Sequence, residues 1–288
     1  MSYSAPLTGM GFIPQAQGEH KVQKVKSNSP ILLFDSGFGG LTVLSELRAQ
    51  LPQAPVIYAA DTAGLPYGEK TEAEVAARVA GLLGRLAERY HPRIICIACN
   101  TASTIALGMV RDVLETPIVG TVPAIKPAAG LTRSGTIGLL GTAATIRQAY
   151  VDNLEAEFAN GNRLLRHAAP ELVSAAESKL RGQAPDPSAF IRAAEGLLNQ
   201  DGGDEIDTVV LACTHFPLVK TELAEAFGKK VQFIDGAEGI ARRIAYLTQG
   251  QSFDRHGDDL AIVTGAGLDD VELRGGLKRY GIGRILPL

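Results

Sequence analysis

Cysteine is scarce: the 288 residues contain three. An odd, low count argues against a disulfide framework and leaves thiols free for chemistry in a reducing compartment. Excess positive charge is also lacking. The net charge is −3, so a nucleic-acid role has no electrostatic support. No apolar run approaches the roughly 20 residues that a bilayer crossing needs, and no membrane partner is expected. Residues 1–27 carry Lys21, Lys24 and Lys26 but no apolar core of a signal peptide. The expected location is cytoplasmic. No short tandem repeat is present either.

What is abundant is glycine, 32 residues, within a chain that is 45% hydrophobic. That suits many tight strand-to-helix turns. Residues 1–28 read as an arm. Short apolar runs at 31–34, 56–60, 93–98, 117–120, 136–140, 208–212, 231–234 and 260–264 read as strands, the last of these as the final one. Helical patterns stand between them, at 41–51, behind a Thr71/Glu74 capping box, and at 146–158, 171–180 and 190–199. Strand–helix alternation predicts an α/β fold with largely parallel sheets. Pro123 and Pro127 mark a crossing between domains. The expected division is 29–121 with 234–288 in a first domain and 122–233 in a second. The 231–234 strand reads as the return to the first.

Two stretches echo each other. Ile94-Ile-Cys-Ile-Ala-Cys-Asn-Thr and Thr208-Val-Val-Leu-Ala-Cys-Thr-His are apolar runs that end in a thiol and hydroxyl or amide neighbours. A helix-like segment follows each. Cys99 and Cys213 therefore stand at the carboxyl ends of strands, where open α/β sheets bind ligands. A helix start beside each would lower the thiol pKa and supply thiolate near neutral pH. Either thiol could serve as acid/base or as nucleophile. Cys96 and Cys99 form C-x-x-C, but no second pair completes a metal site, so Cys96 reads as core. Asp35 ends the first strand before Ser36-Gly37-Phe38-Gly39-Gly40. It is either a turn aspartate or a group facing Cys99. That glycine spacing is not a nucleotide-binding fingerprint. His215, two residues beyond Cys213, is either an ordinary core histidine or its partner. Ser36, Asn100, Thr101 and Thr214 add donors suited to a small ligand rich in charged oxygen. No lysine stands in a recognisable pyridoxal phosphate setting, and no metal cluster stands out.

Four motifs in order carry a resemblance: Asp35-Ser36-Gly37-x-Gly39-Gly40, Pro66-Tyr67-Gly68, Cys99-Asn100-Thr101-Ala102 and Cys213-Thr214-His215-Phe216-Pro217-Leu218. The chain resembles the glutamate racemases of the cofactor-independent aspartate/glutamate racemase superfamily, from about residue 31 to 245. The resemblance implies two tandem pseudo-symmetric α/β domains with the active site in the cleft between them. It implies an isomerase with L- and D-glutamate as partners, no pyridoxal phosphate and no metal, supplying D-glutamate for peptidoglycan. Cys99 and Cys213 would be the two proton carriers, assisted by Asp35 and His215 respectively. Glu177 matches the family's second-domain acid. Asp35, Ser36, Pro66, Tyr67, Gly68, Asn100, Thr101, Thr142, Thr145, Thr214 and His215 would bind substrate. Family members with an N-terminal extension are activated by UDP-N-acetylmuramoyl-L-alanine, which makes that nucleotide a candidate activator. The assembly expected is a monomer or homodimer. Three other readings compete: an aspartate racemase or related two-cysteine isomerase, a thiol-nucleophile hydrolase using one cysteine with His215, and a non-catalytic binding protein.

Overall fold

A computed structural model describes residues 26–159, 161–228, 231–265 and 270–288. Residues 1–25 of the expected arm, and part of the expected Gly265-Ala266-Gly267 break, lie outside these. Ten strands form two all-parallel sheets among the described residues. The first sheet contains β1 (Ile31–Asp35), β2 (Val56–Ala60), β3 (Ile94–Ile97), β4 (Ile118–Gly120), β9 (Asp259–Val263) and β10 (Ile282–Pro287). The second contains β5 (Thr136–Gly141), β6 (Arg163–Ala168), β7 (Thr208–Ala212) and β8 (Gln232–Ile234). The apolar runs of β1, β2 and β7 are buried throughout, as strands must be when helices cover both faces. Each sheet carries one apolar cluster on each side.

The two sheets repeat one plan. The first runs β10-β9-β2-β1-β3-β4 and the second β6-β5-β7-β8. Without β9 and β10, each has its second strand, first, third and fourth in that order. β5 thus corresponds to β1, and β7 to β3. The order reverses direction between β1 and β3, and again between β5 and β7. Such a reversal leaves a crevice at the carboxyl ends of the strands. The thiols of the two echoing stretches follow the third strand of each sheet.

Helices join the strands. They are α1 (Leu41–Gln50), α2 (Glu72–Tyr90), α3 (Asn100–Val113), α4 (Ile125–Leu131), α5 (Ala143–Ile146), α6 (Ala149–Phe158), α7 (Glu171–Leu180), α8 (Pro187–Leu198), α9 (Lys220–Phe227), α10 (Ala237–Leu247) and α11 (Val271–Lys278). α2 shows how local sequence sets such an element. Thr71 accepts from the Glu74 N–H while the Glu74 carboxylate accepts from the Thr71 N–H, satisfying two orphan donors. Val75, Val79, Leu83 and Leu86 form its buried stripe. No helix among the described residues is long and apolar enough to cross a membrane.

Two expectations about elements need correction, and one strand has no counterpart among them. Residues 232–234 do not return to the first half: β8 pairs with β7 as the fourth strand of the second sheet. The return comes next, through Asp235 and Gly236 into α10, whose Ile240, Ala241 and Ile244 join the core around α1. β9 is not the last strand, because β10 pairs with it at the sheet edge. β6 was not anticipated. Both β10 and β6 are edge strands with one flank exposed. They tolerate Gly283, Arg284 and Pro287, or Arg163, Arg166 and His167, and so lack the apolar run that marks a central strand.

Candidate active site

The carboxyl ends of both sheets meet at one cavity of about 290 Å³. Ser36, Leu65, Pro66, Tyr67, Gly68, Cys99, Asn100 and Thr101 line it from the first half. Thr142, Val173, Cys213, Thr214 and His215 line it from the second. The three remaining sequence candidates, Asp35, Thr145 and Glu177, stand one hydrogen bond behind the wall. Leu65 and Val173 were not anticipated. They are apolar residues with no motif signal, and only the meeting of the two halves places them at the cavity.

Close approach of the two halves explains the glycines after Asp35. A Cβ on Gly39 would sit 2.6 Å from both the backbone nitrogen and Nδ1 of His215, and 2.6 Å from Thr214 Oγ1. One on Gly37 would sit 2.9 Å from Glu177 Oε1. The Asp-Ser-Gly-x-Gly-Gly turn is therefore a seat for the Cys-Thr-His loop of the other half. Gly68 does the same for Thr142, whose Cβ lies 2.7 Å from where a Gly68 Cβ would be.

Cys99 caps α3. Its sulfur accepts from the Ala102 N–H at 3.5 Å and lies 3.5 Å from Ser36 Oγ. The expected low thiol pKa does not follow. Burial, aided by the negative charge of Asp35, pushes Cys99 up to about 12. One helix terminus does not offset the loss of solvent around an anion. This environment favours the thiol form of Cys99. Cys96 is fully buried in the core, and burial raises its pKa further still.

Asp35 is fully buried. It accepts from the Gly37 N–H and, across the cleft, from Thr214 Oγ1, each at 2.9 Å. Burial raises its pKa above the usual carboxylate value, against the opposing pull of His215. The hydrogen-bond partners found for Cys99 are Ser36 and Ala102, and Asp35 acts on it through charge.

The second thiol has different company. Cys213 Sγ lies 3.9 Å from Nδ1 of His215, whose Nε2 lies 2.9 Å from Glu177 Oε1. Burial alone would lower the His215 pKa. Hydrogen bonds to Cys213 and Glu177 outweigh it and raise that pKa well above 6.5. Burial would raise Glu177, but His215, Arg181 and the Phe38 N–H together hold it down at about 2. His215 thus stands between the Glu177 carboxylate and the Cys213 sulfur. The helix start expected after Cys213 is a 3₁₀ turn, Phe216–Val219, with α9 following. The histidine, rather than an α-helix terminus, is the local positive partner.

Thr101, Thr142 and Thr145 form a closed triangle of hydroxyls, with oxygens 3.0 to 3.1 Å apart. It ties α3 to the start of α5 across the cleft. Tyr67 depends on a cluster that the sequence did not disclose. Buried Asp61 accepts from Tyr67 at 2.6 Å, from Arg78 twice at 2.7 Å, and from Thr264 at 2.5 Å. Asp61→Asn places an amide against the Arg78 fork. The expected result is a loss of about 2 kcal/mol in denaturant unfolding and weaker ligand binding, because the Tyr67–Gly68 turn is released. Unchanged unfolding would contradict this role. Among the described residues no group of three or more His, Cys, Asp and Glu is placed to hold a metal ion.

The sequence matches the Asp/Glu/Hydantoin racemase family over residues 42–244. The chain belongs to this family. It is 65% identical to glutamate racemase of Sphingopyxis alaskensis over 226 residues, 78% of this chain and 84% of that one. It is 40% identical to glutamate racemase of Escherichia coli (strain K12) over 257 residues, 87% and 88% of the two chains. Racemases of this family also share its fold. The Escherichia coli glutamate racemase, solved with L-glutamate and the activator UDP-MurNAc-ala, superposes with a TM-score of 0.83 at 38% identity, over 90% of this chain and 98% of that one. Glutamate racemase isoform RacE1 of Bacillus anthracis gives 0.79 at 28% identity, over 91% and 98%.

Proposed function

We propose that this chain is a glutamate racemase that moves the α-proton between Cys99 and Cys213 without a cofactor. The observation that supports it most directly is the pair of thiols at equivalent strand ends, both lining one small cavity. Racemisation by two bases needs an acid and a base on opposite faces of one carbon. Two related halves that each present one proton carrier meet that need.

The α-proton of an amino acid is a far weaker acid than a thiol. Removing it requires donors aimed at the carboxylate on which negative charge develops, with water kept out. Ser36, Asn100, Thr101 and Thr142 line the cavity and carry hydroxyl or amide groups for this, while the Thr214 hydroxyl is engaged with Asp35. In our reading the two thiols work from different surroundings. Cys99 stands beside Ser36 and Asp35, and Cys213 beside His215 with Glu177 behind it; one thiol removes the α-proton while the other delivers one. The opposite direction of turnover reverses these roles. The product, D-glutamate, would serve peptidoglycan synthesis. The activator bound by the Escherichia coli relative makes the same nucleotide the first ligand to test for activation here.

Incubation with L-glutamate and no added cofactor, followed by chiral separation, should yield D-glutamate up to an equal mixture. A parallel incubation with L-aspartate should give little. Conversion of aspartate with none of glutamate would overturn the substrate assignment in favour of an aspartate racemase.

A further inference from the structure

We propose that Arg181 is a positioning residue for the Cys213 half of the reaction, holding Glu177 against His215 while the two halves are closed. The inference rests on reading Cys213 as a proton carrier. α7 belongs to the second half, yet its end is built into the first. Leu180 is buried in the first half's core with Leu273 and Leu277 of α11. Its carbonyl accepts from Arg279 at 3.0 Å. A Cβ on Gly276 of α11 would come within 2.5 Å of that same oxygen.

Arg181 follows directly. One nitrogen, Nη1, donates to Glu177 Oε2 at 2.8 Å and to the Glu177 carbonyl at 2.9 Å. Nε donates to Asp270 Oδ2 at 3.2 Å, and Asp270 caps α11 through the Leu273 N–H. A continuous series runs Asp270, Arg181, Glu177, His215, Cys213. Glu177 Oε1 also accepts from the Phe38 N–H of the first half at 3.0 Å. Glu177 is thus tied to the first half twice, directly through Phe38 and indirectly through Arg181. Parting the halves would break both ties and leave His215 with a poorly oriented carboxylate. A planar guanidinium can engage two carboxylates in fixed directions, which an ammonium does less well. The charged and titratable groups acting around this relay are Cys213, Glu177, Arg181 and Asp270, with Asp35, Tyr58 and Cys99 on the first-half side.

The test compares Arg181→Gln, Arg181→Lys and Asp270→Asn with wild type, using kcat and KM for each enantiomer across pH. With Glu177 freed, His215 holds its proton less firmly. Arg181→Gln should therefore lower kcat for one enantiomer on the order of tenfold more than for the other. KM should fall in step, since mirror-image substrates have an equilibrium constant of one. The alkaline limb of the pH profile should move to lower pH. Arg181→Lys should recover part of the loss. Asn still caps a helix, so Asp270→Asn removes only the charge at the far end. It should reproduce a smaller version of the effect even where Arg181→Gln folds poorly. Equal losses for both enantiomers with an unmoved pH profile would overturn the proposal. An NMR titration of His215 reads the coupling without turnover: its pKa should drop in Arg181→Gln, and an unchanged value would overturn the assignment. A wild type inert toward glutamate, with that drop present, would instead sink the proposed activity.

Discussion

Cys99→Ser and Cys213→Ser should each lower racemisation by on the order of 10³-fold or more, while failing in opposite ways. Serine nearly preserves the volume at these buried positions, so the fold should survive. Its hydroxyl is too weak an acid to replace a thiol in proton transfer. The overall rates cannot reveal the difference. An equilibrium constant of one forces kcat/KM to be equal in the two directions, for any variant. The difference lies in the partial reaction. Each single variant retains one thiol on one face of the substrate. In heavy water, Cys99→Ser should exchange the α-hydrogen of the enantiomer that faces Cys213 and leave the other untouched. Cys213→Ser should show the reverse preference. NMR of each enantiomer reads this directly. Identical enantiomer preference in the two variants would remove the two-faced assignment. Loss of only one variant's activity would favour a thiol-nucleophile chemistry with a single essential cysteine.

Gly39→Ala should cost about 10²-fold in activity while leaving most of the stability intact. The added methyl would lie 2.6 Å from the backbone nitrogen of His215. Backbone cannot swing aside as a flexible side chain can, so the two loops must separate. Cys99 and Cys213 sit on opposite sides of that seam, and their common cavity would widen. Gly81→Ala is the matched control. It adds the same methyl inside α2, where nothing lies within 4 Å of the new atom. It should raise stability by roughly 0.5–1 kcal/mol and leave activity alone. If Gly39→Ala behaves like Gly81→Ala, the seam is not closed in the active protein.

The sequence disclosed the strand ends best. Asp35 ends, and Cys99 and Cys213 follow, central strands whose apolar runs are unmistakable, and the echo between two such runs already announced a duplicated plan. Thr142, Thr145 and Glu177 have no such local mark and rested on resemblance to a family. What stayed hidden depends on contacts far apart in the chain. Thr264 reaches Asp61 from 203 residues away, and Asp270 reaches Arg181 from 89 away. The thiol environment was misjudged for the same reason. A helix start beside Cys99 is visible in sequence, but the burial that outweighs it comes from packing against residues distant in the chain, such as Phe34 and Tyr67. Edge strands β6 and β10 were missed because they need not be apolar on both faces.

The most direct measurement of the central claim is the fate of the α-hydrogen during conversion of L-glutamate in heavy water at low conversion. Two monoprotic thiols on opposite faces predict D-glutamate carrying deuterium at the α-carbon, while the remaining L-glutamate keeps its hydrogen. D-glutamate that retains the original hydrogen would mean that one group moves the proton across both faces, and it would contradict the assignment of Cys99 and Cys213 as a facing pair.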